Sequence, residues 1–144
     1  MPETNPPEQT GGVGGGGAEI ASARAYIDAL VSHDASEVPL AADAVRYEVG
    51  VKTGRSGDHI RRSLERGPQF RVVAGVRDLT ATREGDTVRT RYLIDTVLFG
   101  LHPVVAEVSE DFRVGSDGLI HRIDARIRPR LGPMFDGLRR GRSR

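Results

Sequence analysis

Residues 104–127 alternate between mostly apolar and polar positions. Glu110 and His121 are the two side chains capable of proton chemistry that stand at the otherwise apolar positions. A carboxylate and an imidazole can each act as a general acid or base near neutral pH. Together they suggest a pocket that contains acid–base groups. The competing interpretation is a structural role for both, because inward polar side chains are often tied to a neighbour for stability alone.

The elements that must position these two groups are two long antiparallel strands folded about a turn at residues 115–118. Pairing Gly115 with Gly118 places Phe112 opposite His121, so that Glu110 lies diagonal to His121 on the inward face. The other inward positions are apolar: Val104, Ala106, Val108, Val114, Leu119, Ile123, Ala125 and Ile127.

The outward face of the same hairpin gives the register separate support. It sets Asp111 opposite Arg122 and Glu107 opposite Arg126, which are two complementary cross-strand pairs. A slip of one residue would destroy both pairs and turn every side chain to the other face.

A helix is predicted over residues 18–32, because apolar residues recur there with a 3.6-residue period at Ile20, Ala23, Ile27, Leu30 and Val31. Tyr26 lies at the edge of that apolar stripe. A tyrosine in this position either packs its ring and leaves its hydroxyl in water or points the hydroxyl into a pocket.

A short strand is predicted over residues 45–51, with Val45, Tyr47 and Val49 as its buried set. This alternation leaves Glu48 on the outer side together with Arg46. A second helix begins near residue 57 and ends before Gly67-Pro68.

Two further strands are predicted over residues 70–83 and 87–99. Tyr92 lies on the inward face of the second strand. Leu93, Val97 and Phe99 keep its outer face partly apolar, and a homodimer is therefore expected, because a second subunit would cover that face.

The 144-residue chain is long enough for one domain with a core, and it contains no cysteine. We expect a flexible Gly/Pro-rich leader (1–17), a folded domain (18–130) and an Arg-rich tail (131–144). No apolar run approaches a membrane span and the acidic, proline-rich amino terminus is unlike a signal peptide, so a cytoplasmic location is expected.

No metal or cofactor is expected from the sequence. The histidines lack the spacing of a metal site. The glycine run at residues 12–17 matches a dinucleotide-binding pattern in letters, but no strand precedes it. A nucleic-acid partner is not expected either, because the arginines of the tail are not interleaved with aromatic residues.

The order helix, short strand, helix and long antiparallel strands resembles the nuclear transport factor 2-like superfamily, which includes ketosteroid isomerases and SnoaL-like polyketide cyclases. The resemblance covers residues 18–130 and rests on AYIDAL at 25–30, GRSG at 54–57 and EDFR at 110–113. It implies an α+β, cone-shaped fold in which a curved, mostly antiparallel sheet and N-terminal helices enclose an apolar pocket.

The resemblance to ketosteroid isomerases also implies roles for three residues: Tyr26 as the tyrosine that holds an oxyanion, Glu110 as a protonated acid beside it, and Glu48 as the base. His121 is the expected partner of Glu110. The side chains expected to bind substrate are Tyr47, Tyr92, Val108, Phe112 and Ile123.

Three functions remain open at this point. The leading one is an acid–base isomerase, cyclase or dehydratase that acts on an apolar, steroid-like or polyketide-like carbonyl compound. The second is a non-catalytic ligand-binding, dimerisation or assembly domain, because fold does not fix function. The third is an epoxide hydrolase, which needs an Asp-Arg-Asp set in the pocket, and alternation places Arg91, Asp95 and Asp124 on the outer face.

Overall fold

The computed structural model describes residues 17–98 and 101–130. Its six strands form one sheet in the order β2-β1-β6-β5-β4-β3, in which only the β1–β6 pair is parallel. The elements in chain order are α1 (Gly17–Ser32), β1 (Leu40–Glu48), β2 (Val51–Gly54), α2 (Gly57–Arg66), α3 (Pro68–Arg71), β3 (Val73–Glu84), β4 (Thr87–Leu98), β5 (Leu101–Val114) and β6 (Ile120–Arg130).

The predicted α+β class with a curved, mostly antiparallel sheet is confirmed. Helix α1 packs against β3, and α2 packs against β1. The sheet face that these helices cover, called the inner face below, carries the core. The predicted leader, except Gly17, and the predicted tail lie outside the described residues, as does Phe99. None of the helices described is long and apolar enough to cross a membrane.

Helix α1 forms where its apolar period predicts it. Ala23, Ile27 and Leu30 are buried against the sheet. The Ser22 hydroxyl also donates a hydrogen bond to the carbonyl of Gly118, 2.8 Å away, which ties the helix to the hairpin between β5 and β6. Tyr26 is 0% exposed, so it lies in the core and not at the boundary.

The strand predicted over residues 45–51 is wrong, because the chain reverses within it. Val49 and Gly50 have φ angles of 49° and 79°, as a two-residue type I′ hairpin turn requires, and Glu48 then pairs with Val51. Val49 is exposed, and the inner face of β1 carries Ala44 and Arg46. The buried side chains of β1 therefore have the opposite parity to that predicted.

The β5–β6 hairpin forms as predicted, but in a register shifted by two residues. Phe112 pairs with Ile123 and not with His121. The turn is longer than two residues, because the Gly115 N–H donates to the carbonyl of Leu119 and Asp117 Oδ1 accepts from the Leu119 N–H.

Both predicted cross-strand charge pairs of this hairpin are therefore wrong. Asp111 lies opposite Asp124, and Arg126 lies opposite Ser109. Arg122 instead forms an ion pair with Asp124, two residues along its own strand, at 2.8 Å. The Asp124 charge is thus balanced within β6 itself, whereas Glu107 pairs across the strands with Arg130 at 3.2 Å.

The inner faces of β4 and β5 follow the predicted alternation. The buried residues of β4 are Val88, Thr90, Tyr92 and Ile94, besides Leu93 on the outer face, and those of β5 are Ala106, Val108, Glu110, Phe112 and Val114. On the outer face of β4, Leu93 is 9% exposed and Val97 is 45% exposed.

Candidate functional site

Four polar side chains from four elements meet in the core. Tyr26 of α1, Arg46 of β1, Tyr92 of β4 and Glu110 of β5 are each at most 5% exposed. Burying a charged group without a partner is costly, so such a group persists only where neighbours satisfy it. The contacts within this cluster supply those partners.

Arg46 is the centre of the cluster. Its Nε donates to the Tyr26 hydroxyl at 3.0 Å, and its Nη1 donates to Thr53 Oγ1 at 2.9 Å and to Glu48 Oε2 at 3.2 Å. The guanidinium also lies 5.4 Å from the ring centroid of Phe70, within the range of a cation–π contact. Arg46 thereby fixes side chains from α1, β1 and β2 relative to one another.

Glu110 is held between a hydroxyl and a guanidinium. Its Oε1 accepts a hydrogen bond from the Tyr92 hydroxyl, and its Oε2 lies 3.9 Å from Arg46 Nη2. The second distance is an ionic contact without a hydrogen bond. Across the residues that the structure describes, Nη2 has no hydrogen-bond acceptor within bonding distance.

Burial raises the pKa of Glu110 above its ordinary value, although the charge of Arg46 and the hydrogen bond from Tyr92 oppose the shift. Burial likewise raises the pKa of the Tyr92 phenol, and the Glu110 charge adds to that effect. The pKa of Tyr26 is also raised, chiefly by burial, while the charge of Arg46 works against it. Both phenols are therefore neutral, and Glu110 is shifted toward its protonated form.

A cavity of about 70 Å³ adjoins this cluster. Five polar residues line it: Arg46, Glu48, Gln69, Tyr92 and Glu110. The rest of its wall is apolar and comes from Leu30, Phe70, Val73, Ile94, Val108 and Ile127. An apolar wall with a few convergent polar groups is typical of small-molecule sites, although this cavity is smaller than the ~300–1,000 Å³ of pockets for drug-sized ligands.

Glu48 differs from Glu110 in its access to solvent. Its side chain is 35% exposed, whereas that of Glu110 is 1% exposed. The strand parity that places Arg46 on the inner face also brings Glu48 to the cavity, so the prediction that both lie on the outer side is wrong. The two carboxyls thus flank one guanidinium in two different environments.

His121 does not meet Glu110, and the predicted pair is wrong. Its Nε2 lies 3.1 Å from Asp117 Oδ2, and its Nδ1 lies 3.8 Å from Asp43 Oδ1. The side chain is 39% exposed. The physical reason is the longer turn, which gives Ile120 and Ile123 the buried positions at the start of β6 and leaves His121 beside the turn.

The residues expected to bind substrate lie in three different places in the structure: at the cavity, in the core and on the outer face of the sheet. Tyr92 and Val108 line the cavity. Phe112 and Ile123 are fully buried, and the Phe112 ring packs edge-to-face against Tyr26 with centroids 5.2 Å apart. Tyr47 lies on the outer face, where the Arg122 guanidinium stacks 4.5 Å from its ring centroid.

The sequence did not single out Arg46, Thr53 or Gln69. Only Arg46 had a usable signal, since it shares strand parity with Glu48, which the resemblance placed in the pocket. Thr53 and Gln69 approach Arg46 and the cavity through the β1–β2 turn and the short α3 helix. Neither feature has a periodic pattern that would have predicted it.

The set Arg91, Asp95 and Asp124 is not gathered at the cavity. Arg91 lies 3.5 Å from Glu107, and Asp95 lies 3.1 Å from Arg77. Within the described ranges, no group of three or more histidine, aspartate or glutamate side chains is arranged to hold a metal ion.

Comparison with known proteins supports the fold. A protein from Kribbella flavida DSM 17836 is similar over 87% of this chain and 96% of its own, with 26% identity and a TM-score of 0.61. AclR, a candidate hydroxylase from Streptomyces galilaeus, is similar over 86% of this chain and 97% of its own, with 16% identity and a TM-score of 0.58. A candidate isomerase of the SnoaL-like family from Agrobacterium tumefaciens is similar over 77% of this chain and 97% of its own, with 15% identity and a TM-score of 0.56.

The last two similarities are too low in identity to indicate more than a shared nuclear transport factor 2-like fold. No curated protein matches the chain significantly. One family model matches residues 17–127, which is most of the chain. The chain therefore belongs to the family described as "Domain of unknown function (DUF8021)".

Proposed function

We propose that this protein binds an apolar carbonyl compound in the cavity beside Arg46 and moves a proton on it by acid–base catalysis, as an isomerase, cyclase or dehydratase does. The observation that carries the proposal is the convergence of Arg46, Glu48, Tyr92 and Glu110 on one apolar cavity. Paired carboxyls in unlike environments are a common basis for dividing acid and base roles. The likeness in fold to a candidate SnoaL-like isomerase is consistent with this chemistry.

Glu48 is the proposed base, because its carboxylate lines the cavity and its side chain is partly exposed. It would take a proton from the carbon next to the carbonyl, and the C–H electrons would pass to the carbonyl oxygen as an enolate. Arg46 Nη2 and protonated Glu110 would stabilise the negative oxygen. Return of the proton to another carbon completes an isomerisation.

Exchange of α-protons for deuterium tests this step without knowledge of the true product. A panel of apolar ketones is incubated with the protein in D₂O and followed by proton NMR. Loss of a general base typically lowers a rate by about 10²–10⁴-fold, so Glu48→Gln is expected to reduce exchange by that order. The matched control is Glu107→Gln, which removes a carboxylate from the outer face of the sheet. Equal exchange rates in wild type and Glu48→Gln would reject Glu48 as the base.

An epoxide hydrolase is the second candidate, and one specific observation favours it. The carboxyl–guanidinium–carboxyl set that this chemistry needs is present as Glu48, Arg46 and Glu110, with Arg46 3.2 Å from Glu48 and 3.9 Å from Glu110. One carboxylate would activate a water, and the protonated one would donate to the opening epoxide oxygen. Incorporation of ¹⁸O from labelled water into a diol would identify this reaction.

A non-catalytic binding domain is the outcome if ligands bind without either reaction. In that case the cluster stabilises the fold and shapes the cavity, and Glu48→Gln would change affinity alone. Ligand binding and turnover therefore need to be measured on the same samples.

A further inference from the structure

The size of the cavity limits what can enter it. A single water needs about 10–15 Å³ of such space, so a cavity of about 70 Å³ accommodates roughly five to seven non-hydrogen atoms. Two of the side chains in its wall are packed against each other, with the Arg46 guanidinium 5.4 Å from the Phe70 ring centroid. A fused-ring molecule such as a steroid does not fit inside.

The charges of the site are already balanced. Arg46 forms its closest ion pair with Glu48 at 3.2 Å, and Glu110 shares its hydrogen bond with Tyr92. A negatively charged ligand would add a third acidic group beside Glu48 and Glu110, with Arg46 as the one cation among the lining residues, and a positively charged ligand would be repelled by Arg46. The cavity therefore favours an uncharged ligand.

The hydrogen-bonding capacity of the site indicates what the ligand must offer. Among the described residues, Arg46 Nη2 is left with N–H groups and no acceptor, and Arg46 lines the cavity. Nη2 is not sealed off by protein, since His33 Nδ1 is the one polar side-chain atom of the described residues that is buried without a hydrogen-bond partner, so a ligand oxygen in the cavity would accept from the Nη2 N–H groups. A carbonyl oxygen supplies such an acceptor without bringing a charge.

We infer that the ligand of this site is an uncharged carbonyl compound with about five to seven non-hydrogen atoms inside the cavity. The inference rests on the proposed function for the location of the site and adds the size and charge of the substrate. Ile127 lines the cavity and is 36% exposed, so shortening its side chain would enlarge the space at a solvent-accessible part of the wall.

A homologous series tests the inference through binding alone. Dissociation constants of 2-alkanones from butan-2-one to nonan-2-one are measured by ligand-observed NMR with the full chain. Butane-2,3-dione and pyruvate, which are matched in size and differ in charge, test the preference for an uncharged ligand. We expect affinity to fall roughly tenfold from the shortest to the longest ketone, and pyruvate to bind roughly tenfold more weakly than the dione.

Two variants separate cavity size from general hydrophobicity. Ile127→Ala should restore binding of the longest ketones, whereas Val51→Ala, an equally simple truncation of an exposed residue on β2, should not. Three results would each overturn the inference. They are affinity that rises along the series in wild type, binding of pyruvate as tight as that of the dione, and no binding of any short ketone. The expected binding pattern without proton exchange would uphold it and reject the proposed catalysis.

Discussion

Replacement of Glu110 by glutamine should change how stability depends on pH. Glu110 is 1% exposed, and burial raises its pKa above the ordinary value of 4.5. Glutamine keeps the shape of the side chain and can still accept a hydrogen bond from the Tyr92 hydroxyl, but it does not titrate. The variant therefore isolates the titration of this one group.

The sign follows from proton counting. Between the ordinary pKa and the raised one, the folded protein keeps the Glu110 proton while the unfolded chain has released it. The stability contributed by the protonated carboxyl is fully present below pH 4.5 and is lost as pH rises through the folded pKa. In that window wild type should lose up to about 1.4 kcal/mol per pH unit relative to Glu110→Gln.

Urea denaturation of both proteins in steps between about pH 5 and pH 7 measures this difference. Glu107→Gln serves as the control for loss of one carboxylate from β5, because Glu107 lies on the opposite face. Parallel stability curves for wild type and Glu110→Gln would contradict the reasoning, since they would mean that Glu110 titrates alike in the folded and unfolded chains.

Three further outcomes are expected. Arg46→Lys should cost about 1–3 kcal/mol in denaturant unfolding, because one ammonium cannot replace the guanidinium bonds to Tyr26 and its other partners, and an unchanged midpoint would argue against the cluster. Gly57→Ala should lower stability by about 1–3 kcal/mol, because a Cβ there would lie 2.3 Å from the Ala41 carbonyl oxygen, and an unaltered melting temperature would refute that packing. Sedimentation should show a homodimer, because Val97 on the outer face is 45% exposed and a second subunit would cover it, and a strict monomer at high micromolar concentration would reject this.

The fold was predictable because long apolar periods govern it. The α1 stripe and the alternation in β4 and β5 each repeat over many residues, so local irregularities do not change the assignment. The register of the β5–β6 hairpin was not predictable in the same way. It depends on the hydrogen bonds of one turn, where Asp117 accepts from the Leu119 N–H, and an extra pair of turn residues moves every cross-strand partner.

The candidate site was predictable only in part, for a related reason. Glu110 was found because it interrupts an apolar strand, and Tyr92 shares its inward parity. Arg46 was predicted on the outer face because it alternates with Val45 and Tyr47, which form an apolar set. Its burial is tolerable only because partners in its own strand and in α1 and β2 satisfy it. Such partners are brought together by tertiary structure, which alternation along one strand does not describe.

A crystal structure of the protein with butan-2-one bound would test the central claim most directly, namely that the cavity beside Arg46 and Glu110 is the ligand site. The ketone oxygen should lie within about 3 Å of Arg46 Nη2, with the α-carbon facing the carboxylate of Glu48. A ketone bound on the outer face near Tyr47, with the cavity closed by its own side chains, would contradict the claim.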